Sequence, residues 1–131
     1  MVFKKKRFEP TESELEILQI LWEKGPSSVR TVNEILNERR DVGYTTTLKI
    51  MQIMTEKGLV TRDTESRTHI YHSAADQQET QNSLLKSFIN KTYRGSAMRL
   101  VMQALGTEEA SKEELEELKR MIDELSAKNN N

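Results

Sequence analysis

Tyr44-Thr45-Thr46-Thr47-Leu48-Lys49 is the stretch whose residue types and spacing come nearest to chemistry. Short hydroxyl side chains at the start of a helix can meet phosphates and base edges at once. The helix N-terminus adds free amides and the positive end of a dipole. A threonine methyl also fits against a thymine methyl in a major groove. One turn further on, Lys49 and Gln52 point outward if Leu48, Met51 and Met54 point in. Glutamine pairs with adenine in bidentate fashion, and lysine reaches guanine or phosphate. Tyr44, Thr45, Thr46, Thr47, Lys49 and Gln52 are therefore candidate contacts to a double-stranded DNA site. A plainer reading stands beside this one: the threonines only cap a helix, and Lys49 and Gln52 are ordinary solvated positions. Arg62 and Arg67 flank a polar run, Asp63 to Ser66. On a hairpin beside such a helix they would meet phosphates or the minor groove; otherwise they are charges that keep a hairpin soluble. The basic run Lys4 to Arg7 reads either as a phosphate-binding arm or as a solvated terminus.

Other chemistry is poorly served. His69 and His72 are three apart in an expected strand, so they face opposite sides and cannot share a metal. The chain has no cysteine, which removes thiolate metal sites and disulfides, and no nucleophile sits beside an evident base. An enzyme, a cofactor and a metal site are not expected. No stretch approaches the roughly 20 apolar residues that span a bilayer, so membrane insertion is not expected and a cytoplasmic location is. Net charge is −1, and its distribution matters more than its size. Residues 1–75 hold 12 Lys/Arg against 11 Asp/Glu, whereas from Leu105 onward there are 4 against 8. An acidic end belongs on solvent or a protein partner, away from phosphates.

The elements that must position these residues can be read from periodicity. Thr11-Glu12-Ser13-Glu14 has capping-box spacing, and Leu15, Ile17, Leu18, Leu21 and Trp22 recur behind it as on one helix, stopped by Gly25-Pro26. Ser27 or Ser28 caps a second helix with Val29, Val32, Ile35 and Leu36 on one face. Asp41-Val42-Gly43 breaks it. Thr45 is the expected cap of a third helix, and Lys57-Gly58 ends that helix. Leu59 to Arg62 and Thr68 to His72 have β character. Three helices followed by a hairpin is the order of a winged helix. From Asp76 the pattern is helical again. Leu84, Leu85, Phe88, Ile89 and Tyr93 form one amphipathic run, and Ser96 caps a short run with Met98, Leu100, Val101, Met102 and Leu105 that Gly106-Thr107 breaks. Ser111-Lys112-Glu113-Glu114 is a second capping box ahead of a Leu115, Leu118, Ile122, Leu125 stripe. That stripe packs either within its own subunit or against a second copy. Apolar residues are only 35% of the chain, and a thin core favours the second copy.

Tyr44 to Leu48, then Glu56-Lys57-Gly58-Leu59-Val60 and Arg67-Thr68-His69-Ile70-Tyr71, resemble the core signature of the BlaI/MecI family of penicillinase repressors. Glu14 to Trp22 resembles that family's first helix. Phe88-Ile89-Asn90, Leu100-Val101-Met102 and Glu114 to Leu118 resemble its dimerisation lobe. The resemblance covers roughly residues 8–126. It implies a homodimeric repressor on an inverted-repeat operator. It also implies relief of repression through a membrane sensor protease, with a scissile bond near Gln103-Ala104, where the family pattern is Asn followed by Phe. A copper-responsive branch with a cysteine-rich motif is excluded by the missing cysteine. Relatives often carry Gly-Arg where this chain has Ser66-Arg67.

The expected architecture is mainly α. A winged helix-turn-helix DNA-binding domain with a small β-hairpin wing spans residues 8–75, and a helical dimerisation lobe spans 76–128. Leu84, Phe88, Leu100, Leu115, Leu118, Ile122 and Leu125 are the candidate dimer contacts. The alternative is a winged helix used only as a protein-interaction module. Its mark would be an apolar outer face on the third helix, where Ile50 and Ile53 stand.

Overall fold

The computed structural model describes residues 9–65, 67–107 and 109–129. The basic run Lys4 to Arg7, and Ser66 in the expected hairpin turn, lie outside the described residues. The elements are α1 (Glu12–Lys24), β1 (Ser27–Ser28), α2 (Val29–Asn37), α3 (Tyr44–Lys57), β2 (Val60–Asp63), β3 (Ile70–Ser73), α4 (Gln77–Thr92), α5 (Ala97–Thr107) and α6 (Lys112–Asn129). Mainly helical, with a hairpin following the third helix, the chain has the winged-helix order that its periodicity predicts.

α1 and α2 each start where the sequence supplies a capping side chain. The Thr11 hydroxyl accepts from the Glu14 amide at 3.2 Å, and the Glu14 carboxylate accepts from the Thr11 amide at 2.8 Å. Such a reciprocal cap is worth about 1 kcal/mol. Ser28 caps α2 by accepting from the Thr31 amide at 3.2 Å. α1 then buries Ile17, Leu18, Ile20 and Leu21, α2 buries Val29, Val32 and Leu36, and α3 closes the core with Met51 and Met54. Each such side chain contributes roughly 1.5–3 kcal/mol when taken out of water. Gly58 ends α3 in the left-handed conformation (φ 81°, ψ 14°), which a side chain would resist, and turns the chain straight into β2.

The hairpin is part of a larger sheet than its sequence suggests. Ser27–Ser28 adds a short edge strand, giving the antiparallel order β1-β3-β2 with Tyr71 of the central strand fully buried. Two serines are too short a strand to show periodicity, so only the pairing with Tyr71 and Ile70 reveals it. The Trp22 indole donates to the Ser73 hydroxyl at 2.9 Å and to the Ala75 carbonyl at 3.0 Å, fixing the end of β3 against α1. His69 lies in the turn rather than in the strand, which begins at Ile70. α5 ends at Thr107, at the Gly106-Thr107 break expected from the sequence, with Gly106 inside its last turn.

One compact unit ends at Leu85 and a second begins at Lys86. The division falls inside α4, while the last residue packed on the first unit's core is Ala75. None of α4, α5 or α6 contains a buried residue.

Candidate nucleic-acid interface

The orientation of α3 decides which of its residues are available. Successive residues turn by about 100° around a helix axis. The buried line is Thr47, Met51 and Met54. Thr47 takes the place that periodicity gives to Leu48, which is half-buried at the flank of the core. The helix also begins before Thr45, with Gly43 as its N-cap. Directly opposite the buried line lie Thr45, Lys49, Gln52 and Glu56, all exposed, with Thr46 and Ile53 along one edge. Tyr44, on the first turn, is half-exposed at 51%. Gly43 has no side chain to cap the helix, so the first-turn amides of α3 have no capping side chain of its own.

Of the six candidate contacts on this helix, Thr47 must be withdrawn. It is fully buried, and its hydroxyl is engaged by the Asn33 side-chain amide at 2.8 Å and by the Gly43 carbonyl at 3.4 Å. A threonine reads as polar in sequence, but its γ-methyl fills core space as a valine does while its hydroxyl needs only a local partner. Ile50, half-buried, packs against the core, which leaves Tyr44 and Ile53 as the exposed large apolar residues of α3. The outer face is therefore polar rather than the apolar surface of a protein-docking helix.

Arg62 sits in β2 opposite Tyr71, on the same face of the sheet as Val60, and is exposed. Arg67 is exposed in the turn. Asp63 accepts the Glu65 amide at 3.0 Å, which starts the turn. Asp63 and Glu65 thus set two negative charges beside the two arginines.

Several positioning residues escaped the sequence reading. Asn33 and Asn37 reach from α2 to the segment before α3. Their four-residue spacing ahead of Asp41-Val42-Gly43 is the only signal, since asparagine amides mimic peptide groups near turns. Glu16 of α1 holds Arg40 at 2.6 Å and Arg39 at 3.7 Å, at the end of α2. Glu14 uses the oxygen that caps α1 to accept from Lys57 at 2.8 Å, tying the start of α1 to the end of α3. Burial pushes the Glu14 carboxyl up, but hydrogen bonds from Lys57 and from the Thr11 amide, together with the Lys57 charge, outweigh it and hold the group below its ordinary value.

In the C-terminal unit the apolar side chains stay on the surface. Phe88, Leu115, Leu118, Ile122 and Leu125 are exposed, as are Met98, Val101, Met102, Leu105 and Met121. Phe88 stacks edge-on against Tyr93, with ring centroids 5.9 Å apart. Leu84, in the first unit, and Leu100, in the second, are half-buried. A cleft of about 390 Å³ opens between α5 and α6, lined by Ala104, Leu105, Leu118 and Met121 among others. Gln103 and Ala104 lie within α5 and are exposed.

The sequence profile of the penicillinase repressor family matches residues 10–124. The chain belongs to the penicillinase repressor family. This is a family of DNA-binding transcriptional repressors and not of enzymes. The chain is 27% identical over 117 residues to the methicillin resistance regulatory protein MecI of Mammaliicoccus sciuri, covering 89% of this chain and 95% of that one. It is 28% identical over 117 residues to the penicillinase repressor of Bacillus licheniformis, covering 87% and 89%. It is 29% identical over 119 residues to the transcriptional regulator BlaI of Mycobacterium tuberculosis, covering 90% and 86%. Among the described residues, this chain has no helix long and apolar enough to cross a membrane, and no group of three or more His, Asp or Glu side chains that could hold a metal ion.

Proposed function

We propose that the protein is a homodimeric, cytoplasmic repressor that occupies an inverted-repeat operator, with one α3 in each half-site. The observation that carries this is the outer face of α3: Thr45, Lys49 and Gln52 stand exposed on the line opposite the core, at the end of the helix whose amides have no side-chain cap. Thr45, Thr46 and the free amides meet phosphate and base edges on the first turn, Lys49 and Gln52 reach bases from the second and third, and Tyr44 flanks them. Arg62 and Arg67 contact the backbone beside the groove. Glu56 continues the same face as an anion, so the C-terminal end of α3 is kept off the phosphates and the N-terminal half enters the groove.

Two copies join through the apolar residues of the second unit, chiefly Phe88, Leu115, Leu118, Ile122 and Leu125, with Leu84 and Leu100 at the edges. A two-fold contact of this kind matches the symmetry of an inverted repeat. Relief of repression is by a sensor protease that cuts α5 at Gln103-Ala104. Such a cut removes α6 and with it Leu115, Leu118, Ile122 and Leu125. A helical peptide bond enters a protease cleft only after local unwinding, so the cut requires α5 to open first.

A salt titration tests the core of this reading. A duplex selected by the protein from a random library should bind far more tightly than a scrambled duplex, with affinity falling steeply on a log–log plot against salt, by about 0.9 per phosphate contact. Equal, salt-insensitive binding to both duplexes would leave a protein-interaction module as the better account.

A further inference from the structure

Glu16 of α1 holds the start of the turn between α2 and α3 through Arg39 and Arg40, and two asparagines of α2, a helical turn apart, hold its end. Asn37 pairs with both backbone polar groups of one residue: its amide nitrogen donates to the Val42 carbonyl at 2.8 Å, and its oxygen accepts from the Val42 amide at 3.2 Å. The same nitrogen donates to the Asn33 carbonyl at 2.8 Å, which locks the Asn37 side chain to α2. The Asn33 amide nitrogen donates to the Val42 carbonyl at 3.0 Å and to the Thr47 hydroxyl at 2.8 Å. Both hydrogens of that nitrogen are thereby used. The single Thr47 hydrogen goes to the Gly43 carbonyl at 3.4 Å. Val42 and Gly43, the two residues that lead into α3, and Thr47, the anchor of its first turn, thus all take their place from α2. Gly43 contributes no side chain to the arrangement.

We propose that Asn33, acting through Val42 and Thr47, is a positioning residue that sets where the first turn of α3 stands in the major groove, with Asn37 as its partner. The proposal rests on the reading of α3 as the DNA-reading helix. Base contacts and phosphate contacts differ in what they demand. A bidentate contact to a base edge needs its donor and acceptor held within about 0.5 Å and 10–20°. A phosphate contact tolerates more, because a charge acts over a longer range and in no fixed direction. Loosening the first turn of α3 therefore damages discrimination between sequences before it damages attraction to DNA. The fold has other support: the core residues Met51 and Met54 and the Gly58 turn are untouched by the asparagines.

Thr47 gives this its decisive test, because its two substituents do different jobs. Thr47→Val keeps the shape and loses the hydroxyl, while Thr47→Ser keeps the hydroxyl and loses a methyl from the core. Both changes destabilise: Thr47→Val leaves the buried Asn33 hydrogen without its acceptor, and Thr47→Ser deletes a buried methyl. A purely structural role makes discrimination follow melting temperature, whichever substituent is lost. A positioning role makes discrimination follow the hydroxyl alone.

The experiment takes the full-length chain, a duplex that the wild type selects from a random library, and a scrambled duplex of equal composition, all at one salt concentration. Melting temperature, salt slope and the affinity ratio between the two duplexes are measured for wild type, Asn33→Ala, Thr47→Val and Thr47→Ser. The expected result is that Asn33→Ala and Thr47→Val lose discrimination by about tenfold, the size of one good base contact, with salt slopes unchanged. Thr47→Ser also melts below the wild type yet keeps the wild-type ratio. If Asn33→Ala keeps the wild-type ratio, or if Thr47→Ser discriminates no better than Thr47→Val, the positioning role is overturned while the DNA reading stands. A wild type that selects no sequence overturns the DNA reading itself, and the positioning role with it.

Discussion

At the level of single residues, α3 shows how a one-position error in sequence phase changes a site. Spacing by three places Leu48, Met51 and Met54 inside. The helix instead starts at Tyr44 and buries Thr47, so the exposed line passes through Thr45, Lys49, Gln52 and Glu56. Thr46, Lys49 and Gln52 are exposed in either phase, because a shift of one residue turns the face without reversing it. What the sequence hid was the partner of Thr47. The Asn33 side chain that satisfies its hydroxyl is fourteen positions away in the chain. The corrected face ranks the contacts: Lys49, near its middle, outweighs Thr46, at its edge. Lys49→Ala is expected to cost about 1–3 kcal/mol on a selected duplex and far less on a scrambled one. Thr46→Ala should cost less than Lys49→Ala on the same pair. Melting curves for both variants should match the wild type, since neither side chain is buried. The reverse order of losses, measured by titration at fixed salt, would show that the edge of the helix does the reading.

At the level of elements, the starts of α1 and α2 and the end of α3 are legible because capping and glycine signals are local. The start of α3, at Gly43 and not at Thr45, is not, because no side chain caps it. Nor are β1 and the ties between helices, which depend on residues far apart in sequence. Glu14 is the clearest case. Its capping role with Thr11 is readable from Thr11-Glu12-Ser13-Glu14, but its second role, accepting from Lys57 some forty residues later, is not. Glu14 is almost wholly buried, with 3% of its surface exposed, so the tie between α1 and α3 is sheltered from water. This tie carries a pH dependence of known sign. The folded-state carboxyl is held below its unfolded value, which is about 4.3. The stabilisation is therefore fully present above that unfolded value and is lost as pH falls through the lower folded one. Glu14→Gln keeps the size of the side chain and removes the charge. It is expected to lower stability at neutral pH by about 1–3 kcal/mol, the usual cost of weakening a buried hydrogen-bonded pair. It should also flatten the fall of stability on the acid side. Urea unfolding of both proteins across the acid range measures this. Parallel curves for the two would mean that Glu14 does not set the acid response.

At the level of the whole molecule, the two units have opposite economies of surface. The first buries a dozen apolar side chains around α1, α2, α3 and the sheet. In α4, α5 and α6 no residue is buried, while Phe88, Met98, Met102, Leu115, Met121, Ile122 and Leu125 stand largely in solvent. Helices with so little interior of their own are marginal in water, because propensity alone seldom holds helices of this length. Exposed apolar surface of this extent marks an interaction site. A second copy supplies the missing contacts if the stripe Leu115, Leu118, Ile122, Leu125 faces its own image across a two-fold axis. Folding of the C-terminal unit and association then become one event, and its stability depends on protein concentration by mass action. Two melting transitions are therefore expected: one for the first unit that does not move with concentration, and one for the second that rises as concentration rises. Placing a charge in the stripe, as in Leu118→Glu or Ile122→Glu, should abolish the concentration-dependent transition and leave the other in place. The same variants should sediment as monomers and still bind half of a selected inverted repeat, with the second half contributing no added affinity. A single transition independent of concentration, with a dimer surviving in Leu118→Glu and Ile122→Glu, would mean that α6 is not where the two copies meet.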